Sequence, residues 1–211
     1  MARRNDHSRD EIRAMALSAA EALLDREGVA GLSTRKIAAE IGYTVGSLYL
    51  VFDNLDDLIL QVNARTLAAL AEWLDRAALA QPDAAAGVRA LGRTYVRYAD
   101  RHRSRWELIF NRQRASDAVL PDWYLQSVAG LFERVERQLA DYAPQRTAAD
   151  RSLAARVLWS GVHGVCTLAL SDRLDIAGIA EAERLTDSLI ENYLAGWVNN
   201  SGEWQMVRED T

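Results

Sequence analysis

The stretch Leu32-Ser33-Thr34-Arg35-Lys36-Ile37-Ala38-Ala39-Glu40-Ile41-Gly42-Tyr43-Thr44-Val45-Gly46-Ser47-Leu48-Tyr49-Leu50-Val51-Phe52 holds two short helical patterns separated by a glycine. Ser33 is a good N-cap, because its hydroxyl can accept from an otherwise unpaired N–H of the first turn. Ile37, Ala38 and Ile41 then share one inward face. Gly42 suits the left-handed position that ends a helix, and Tyr43 forms the turn. Thr44 caps the next helix, which buries Leu48 and Phe52 at i and i+4. Two short helices, one apolar face each, joined by a tight glycine-containing turn, make a helix-turn-helix. The second helix begins with Thr44, Val45, Gly46 and Ser47. A first turn this slim and this able to hydrogen-bond fits the major groove of DNA. Arg35 and Lys36 follow Thr34 at the start of the first helix, where free N–H groups favour phosphate.

Outward from this motif the chain reads as helix almost throughout. Ile12, Met15, Ala16, Ala19, Ala20, Leu23 and Leu24 trace one apolar stripe. Ser8 and Glu11 have the spacing of a capping box, and Gly28 or Gly31 can end that helix. Asn54 caps a fourth helix with Asp56 and Asp57 in its first turn, which the helix dipole favours. It runs to Pro82. Helices follow over about 83–102, 106–110, 121–142, 148–171 and 181–198, with Pro144 as a break. No strand pattern of convincing length occurs. The expected fold is all-α, about nine helices: an N-terminal three-helix domain over 8–62, with its motif at 33–52, and a C-terminal helical bundle over 63–199.

Composition narrows the function. The 211 residues are 49% hydrophobic and 26% charged, with 3 Pro and 12 Gly, which fits a globular chain and excludes collagenous or low-complexity classes. The longest apolar runs are broken by Arg, Asp or His, short of the ~20 residues a membrane span needs. The Arg3-Arg4 start lacks an apolar core after it, so no signal peptide is expected, and the expected compartment is the cytoplasm. A single cysteine, Cys166, excludes an internal disulfide and a multi-cysteine metal site. No glycine-rich phosphate loop, metal cluster or nucleophile–base pair is visible, so an enzyme is not expected, and neither is a cofactor or a metal. The net charge is −5, yet residues 1–52 balance seven bases against seven acids. Such a segment binds DNA only where its positive groups gather on one face.

The run Leu32 to Gly42, then Gly46-x-Leu48-Tyr49-x-x-Phe52, then Asn54 and Leu58, resembles the DNA-binding domain of the TetR family of transcriptional regulators over roughly residues 8–62. The resemblance implies a repressor that binds a palindromic operator as a homodimer and is released by a small molecule. It implies that Thr34, Arg35 and Lys36 contact phosphate. It also implies that Thr44, Val45, Gly46 and Ser47 face base edges or phosphate, and that the Tyr49 hydroxyl sits on a phosphate. Leu48 and Phe52 are core. The family commonly has a lysine where this chain has Leu55, and polar or aromatic residues where it has Leu50 and Val51. These changes remove phosphate contacts and shift the electrostatics toward Arg3, Arg4 and Lys36. Arg3 and Arg4 form either a minor-groove arm or a solvated terminus.

Trp159-Ser160-Gly161-Val162-His163-Gly164 is similar to the Trp…His-Gly signature of one class of TetR-type C-terminal domains. On a helix over 157–170, Trp159, His163, Cys166 and Leu170 share one stripe, while Val157, Gly161, Gly164 and Leu168 lie opposite. That helix is apolar all round, so both faces should be buried. Helix 181–198 likewise has Leu185, Leu189 and Tyr193 on one side and Ile190, Leu194 and Trp197 on another. Two such helices from each of two subunits would make a four-helix, two-fold interface through Gly161, Gly164, Leu168, Ile190, Leu194 and Trp197. The sequence leaves open which face does this. Candidate pocket residues are Tyr95, Tyr98, His102, Trp106, Phe110, Trp123, His163 and Cys166, for an apolar or aromatic effector. Each of them is also an ordinary core residue by type. His163 in particular reads either as a ligand contact or, the favoured reading, as a satisfied core histidine. Arg101, Arg103, Arg105, Arg112 and Arg114 form either an anion site or a solvated face. The alternative to a regulator is an all-helical sequestering protein with weakened DNA binding, motivated by Leu55.

Overall fold

A computed structural model describes residues 7–110, 119–171, 173–174 and 181–199. All secondary structure among them is helical: α1 (Arg9–Glu27), a 3-10 turn (Val29–Gly31), α2 (Thr34–Glu40), α3 (Val45–Leu48), α4 (Leu55–Leu79), α5 (Ala84–Arg101), α6 (Arg103–Phe110), α7 (Asp122–Tyr142), α8 (Ala148–Leu170) and α9 (Ala182–Asn199). Arg3, Arg4, Arg112 and Arg114 lie outside the described residues.

The local signals act where the sequence places them. Ser8 and Glu11 form the capping box of α1. Ser33 Oγ accepts from Lys36 N–H, and Asn54 Oδ1 accepts from Asp57 N–H at 2.9 Å. Gly42 takes φ 73°, which brings Tyr43 N–H to Ala38 C=O at 2.9 Å and turns the chain between α2 and α3. A side chain there would strain the backbone. The third helix is shorter than the i, i+4 pair of Leu48 and Phe52 implies. Regular helix ends at Leu48, and i→i+3 bonds such as Val51 N–H to Leu48 C=O, 3.0 Å, tighten the turn that returns Phe52 to the core.

The chain divides into two compact units. One combines Met1–Ala71 with Ala99–Ala129, the other Glu72–Tyr98 with Gly130–Thr211. This division does not follow a single cut after residue 62. The reason is α6, which docks on α1: Leu108 joins the core made by Ile12, Leu23, Leu24, Ile37, Leu48, Phe52 and Val62. Arg105 also donates to both carboxylate oxygens of Asp25, at 3.0 and 2.6 Å.

In the second unit α8 lies along α9 and buries Ala154, Ala155, Leu158, Val162 and Cys166. Only that stripe is buried. Leu153, Val157 and Leu168 are 65%, 44% and 45% exposed, so one face of α8 lies on the chain's own unit and the other is uncovered in the single chain. At 23 residues α8 is also long and apolar enough to cross a membrane by length and composition alone, against the sequence expectation that no run qualifies. Helix α5 approaches α9 at Gly92, where a Cβ would come within 2.5 Å of Ile190 Cδ1.

Candidate nucleic-acid interface and effector site

The first unit carries the helix-turn-helix. Thr44 Oγ1 accepts from Ser47 N–H at 3.2 Å and lies 2.9 Å from Ser47 Oγ. Both hydroxyls therefore sit together at the start of α3, beside exposed Gly46. Tyr49 is 52% exposed, its ring outside the core that holds Leu48. Arg35 is exposed and Thr34 half-exposed at the start of α2. Val45 is the exception: it packs partly against the core, so its side chain anchors the start of α3 and is not the outward contact expected of it. Leu55 packs against the same core. Its apolar side chain thus has a structural use where the family's lysine would reach for phosphate.

The charges are arranged more tightly than sequence shows. Lys36 Nζ donates to Glu27 Oε2 at 2.6 Å. Arg26 donates to Glu27 and to Glu40, bridging α1 and α2. Lys36 and Arg26, in that order, hold the Glu27 carboxyl below the usual carboxylate range. Gly31 makes room for this arrangement, since a Cβ there would meet Glu27 Cβ at 2.4 Å. His7 Nδ1 and the Tyr43 hydroxyl, 2.8 Å apart, tie the residue preceding the α1 cap to the turn. The Lys36–Glu27, Arg26–Glu40 and His7–Tyr43 pairings were not expected, because each joins residues well separated in sequence.

The second unit carries a polar aromatic group. Trp159 Nε1–H donates to Tyr95 Oη at 3.0 Å, and Tyr95 Oη lies 2.9 Å from His163 Nδ1. Trp159 and His163 stack at 5.2 Å, and Phe132 meets Trp159 edge-on. An indole N–H only donates. With a neutral His163 protonated on Nε2, the Tyr95 O–H donates to Nδ1 and the chain of bonds runs in one direction. Burial lowers the His163 pKa and raises that of the Tyr95 phenol. Both shifts favour these neutral forms.

The expected pocket residues do not all come together. Tyr95 and His163 touch, and Cys166 is buried on the same face of α8. Tyr98 meets Trp73 edge-on at 5.3 Å. His102, Trp106, Phe110 and Trp123 belong to the other unit. There Trp106 packs on Phe110, and Trp123 is largely exposed beside Tyr124. Desolvation, then the Arg105 charge, lowers the His102 pKa. Two members of the arginine cluster are tied down: Arg103 binds Asp100 and Arg105 binds Asp25. Sequence reasoning missed Asn63 on α4. It is 5% exposed, and its Oδ1 has no hydrogen-bond partner among the described residues.

The expected dimer residues are corrected in part. Ile190 and Leu194 are 1% and 2% exposed in the single chain, because α9 turns them onto its own unit. Gly161 admits Leu189 of the same chain, 2.6 Å from where its Cβ would be. Trp197 stacks on Tyr193 and lies under Arg146. Gly164 faces open space and Leu168 is exposed.

These features define a helix-turn-helix DNA-binding protein joined to a second helical unit. Residues 16–62 match the model for bacterial regulatory proteins of the tetR family, and residues 88–193 match the model for tetracyclin repressor-like C-terminal domains. The chain belongs to the tetR family, and it is a DNA-binding transcriptional regulator, not an enzyme. It is similar to a protein of unknown function from Rhodococcus sp. RHA1 (25% identity, TM-score 0.73, covering 92% of this chain and 98% of that one). It shares its fold with RolR in complex with resorcinol (17%, TM-score 0.67, 90% and 93%). It also shares it with SmeT, the repressor of the Stenotrophomonas maltophilia multidrug efflux pump SmeDEF (24%, TM-score 0.56, 90% and 90%). No curated protein matches the chain.

Proposed function

We propose that the chain is a cytoplasmic repressor that binds a palindromic operator as a homodimer and leaves it when a small molecule binds the second unit. The observation that carries this is the exposed start of α3, where Thr44, Gly46 and Ser47 stand outward while Leu48 and Phe52 fix the helix to the core. Thr44, Gly46 and Ser47 read base edges, and Thr34, Arg35, Lys36 and Tyr49 hold phosphates. Most of these contacts position the domain and few specify sequence. Arg3 and Arg4 supply further charge.

The second copy of this chain docks on the uncovered face of α8. Leu153, Val157, Gly164 and Leu168 repeat at near-heptad spacing there. On α9 the exposed residues Ser188, Asn192, Ala195 and Gly196 are small or polar enough for close helix approach. A two-fold pairing of these two helices covers the apolar stripe in both subunits at once.

The effector is an apolar or aromatic molecule with a polar group. RolR, which shares this fold, was solved with resorcinol. The Trp159, Tyr95 and His163 group offers ring surfaces and a directional hydrogen-bond chain. Effector binding shifts the dimer between two spacings of its α3 helices, and DNA accepts only a separation near ~34 Å. Gel-shift titration of a selected operator against a panel of phenols tests this. Release of DNA by at least one phenol, lost in Tyr95→Phe, supports it, and retention of DNA with every compound in a folded dimer counts against it.

A further inference from the structure

A recess of about 350 Å³ opens between the C-terminal end of α4 and α5, wholly within the second unit. Arg89, Arg93 and Arg97 line it, each one helical turn from the next. Ala77, Ala86 and Ala90 make the apolar part of its wall, and no carboxylate lines it among the described residues. A second recess of about 380 Å³ continues from Thr94 and Arg97 to Trp73 and Arg76.

The three arginines are held by α9. Arg89 pairs with Glu191 at 3.7 Å, Arg93 with Asp187 at 2.5 Å and Arg97 with Glu183 at 2.5 Å. In the last two, Nε and Nη2 grip both carboxylate oxygens. Nη1 of Arg93 and of Arg97 makes no hydrogen bond among the described residues. A guanidinium anchored along one edge keeps its remaining N–H groups oriented, so less rotamer freedom is lost when an anion binds. Residues four apart on a helix are displaced by about 6 Å along its axis.

We infer that this recess binds a small dianion: two carboxylate or phosphate groups about 6 Å apart, joined by a short apolar linker. The anionic groups take the free Nη1 edges of adjacent arginines, and the linker lies on the alanines. Bidentate or paired guanidinium contacts suit both carboxylate and phosphate. The site stands apart from the Trp159, Tyr95 and His163 group and does not depend on the chain's binding DNA.

Isothermal titration of the full chain tests it with adipate, with propane-1,3-bisphosphonate, and with hexanoate as the single-charge control. Ala90→Glu puts a carboxylate into the recess while leaving the α5–α9 ion pairs in place. Ala77→Glu repeats the block from α4 should the first variant fail to fold. The expected result is binding of a dianion at least tenfold tighter than hexanoate, weakened at least tenfold by either block. Binding of adipate alone assigns a dicarboxylate, and binding of the bisphosphonate alone assigns a phosphate ligand. Absence of binding by both dianions, equal binding of hexanoate, or binding untouched by the blocks in folded protein overturns the inference.

Discussion

Glu27 Oε2 lies 2.6 Å from Lys36 Nζ, so the chain's single lysine is already paired at the helix that precedes its recognition helix. A phosphate must compete with Glu27 for the charge of that ammonium, though two of its three N–H donors stay open. Exposed pairs of this kind contribute little to stability because solvent screens them, so the pairing matters more to DNA than to folding. Glu27→Gln is expected to bind operator more tightly, with a log–log salt slope steeper by about 0.9 because one more phosphate is neutralised. Affinity measured across a salt series checks this, and an unchanged slope would show that Lys36 does not reach DNA.

Tyr49 is half in solvent and Leu48 beside it is not. Tyr49→Phe is expected to leave the melting temperature unchanged while weakening operator binding by about 1–2 kcal/mol, the loss of one hydrogen bond to a charged partner. Leu48→Ala is expected to destabilise the domain by about 2–5 kcal/mol. Thermal melts beside DNA titrations separate the two effects.

The glycines 31 and 42 give a second contrast. A Cβ at Gly42 meets nothing within 4 Å, but φ is 73°; Gly42→Ala therefore costs about 1–2 kcal/mol of backbone strain. Gly31→Ala instead pushes on Glu27, and is expected to free Lys36 as Glu27→Gln does. A steeper salt slope in Gly31→Ala, absent in Gly42→Ala, is the checkable outcome.

For the α8 face, Leu168→Glu is expected to shift a dimer toward monomer without unfolding the chain, since Leu168 is exposed. Ile190→Glu is expected to unfold the second unit, because that side chain fills the space left by Gly92. Sedimentation together with circular dichroism distinguishes them.

His163 sets a pH dependence. Burial lowers its folded pKa below that of a free imidazole, and burial likewise lowers that of His102. The unfolded chain therefore binds protons that the folded chain refuses as pH falls below about 6.5. Stability is full above that pH and declines as pH drops toward the folded values. Melting temperature from pH 8 to pH 5 should show this decline, and it should be shallower in His163→Gln.

What the sequence made legible is what short-range chemistry determines. The caps Ser8, Ser33, Thr44 and Asn54, the turn at Gly42 and the paired Leu48 and Phe52 each act over a few residues, and each lies where its spacing puts it. The choice between faces was not legible. Helix α9 is apolar on two sides, and the notch at Gly92 of α5, which admits Ile190, turns one of them onto the chain's own core. The α5–α9 ion-pair ladder does have a signal, arginines at 89, 93 and 97 against acids at 183, 187 and 191. Its meaning appears only once the two helices lie side by side. Val45, expected at the DNA face from the slim first turn of α3, packs partly against the core.

The most direct test of the account is selection of DNA fragments by the purified full chain at about 50 mM and about 200 mM salt. The account predicts one palindromic site, half-sites about one helical turn apart, with affinity falling about 10³-fold or more between the two salts. It also predicts loss of that site in Tyr49→Phe combined with Ser47→Ala. A folded dimer that enriches no site, or one whose site survives both substitutions, would contradict it.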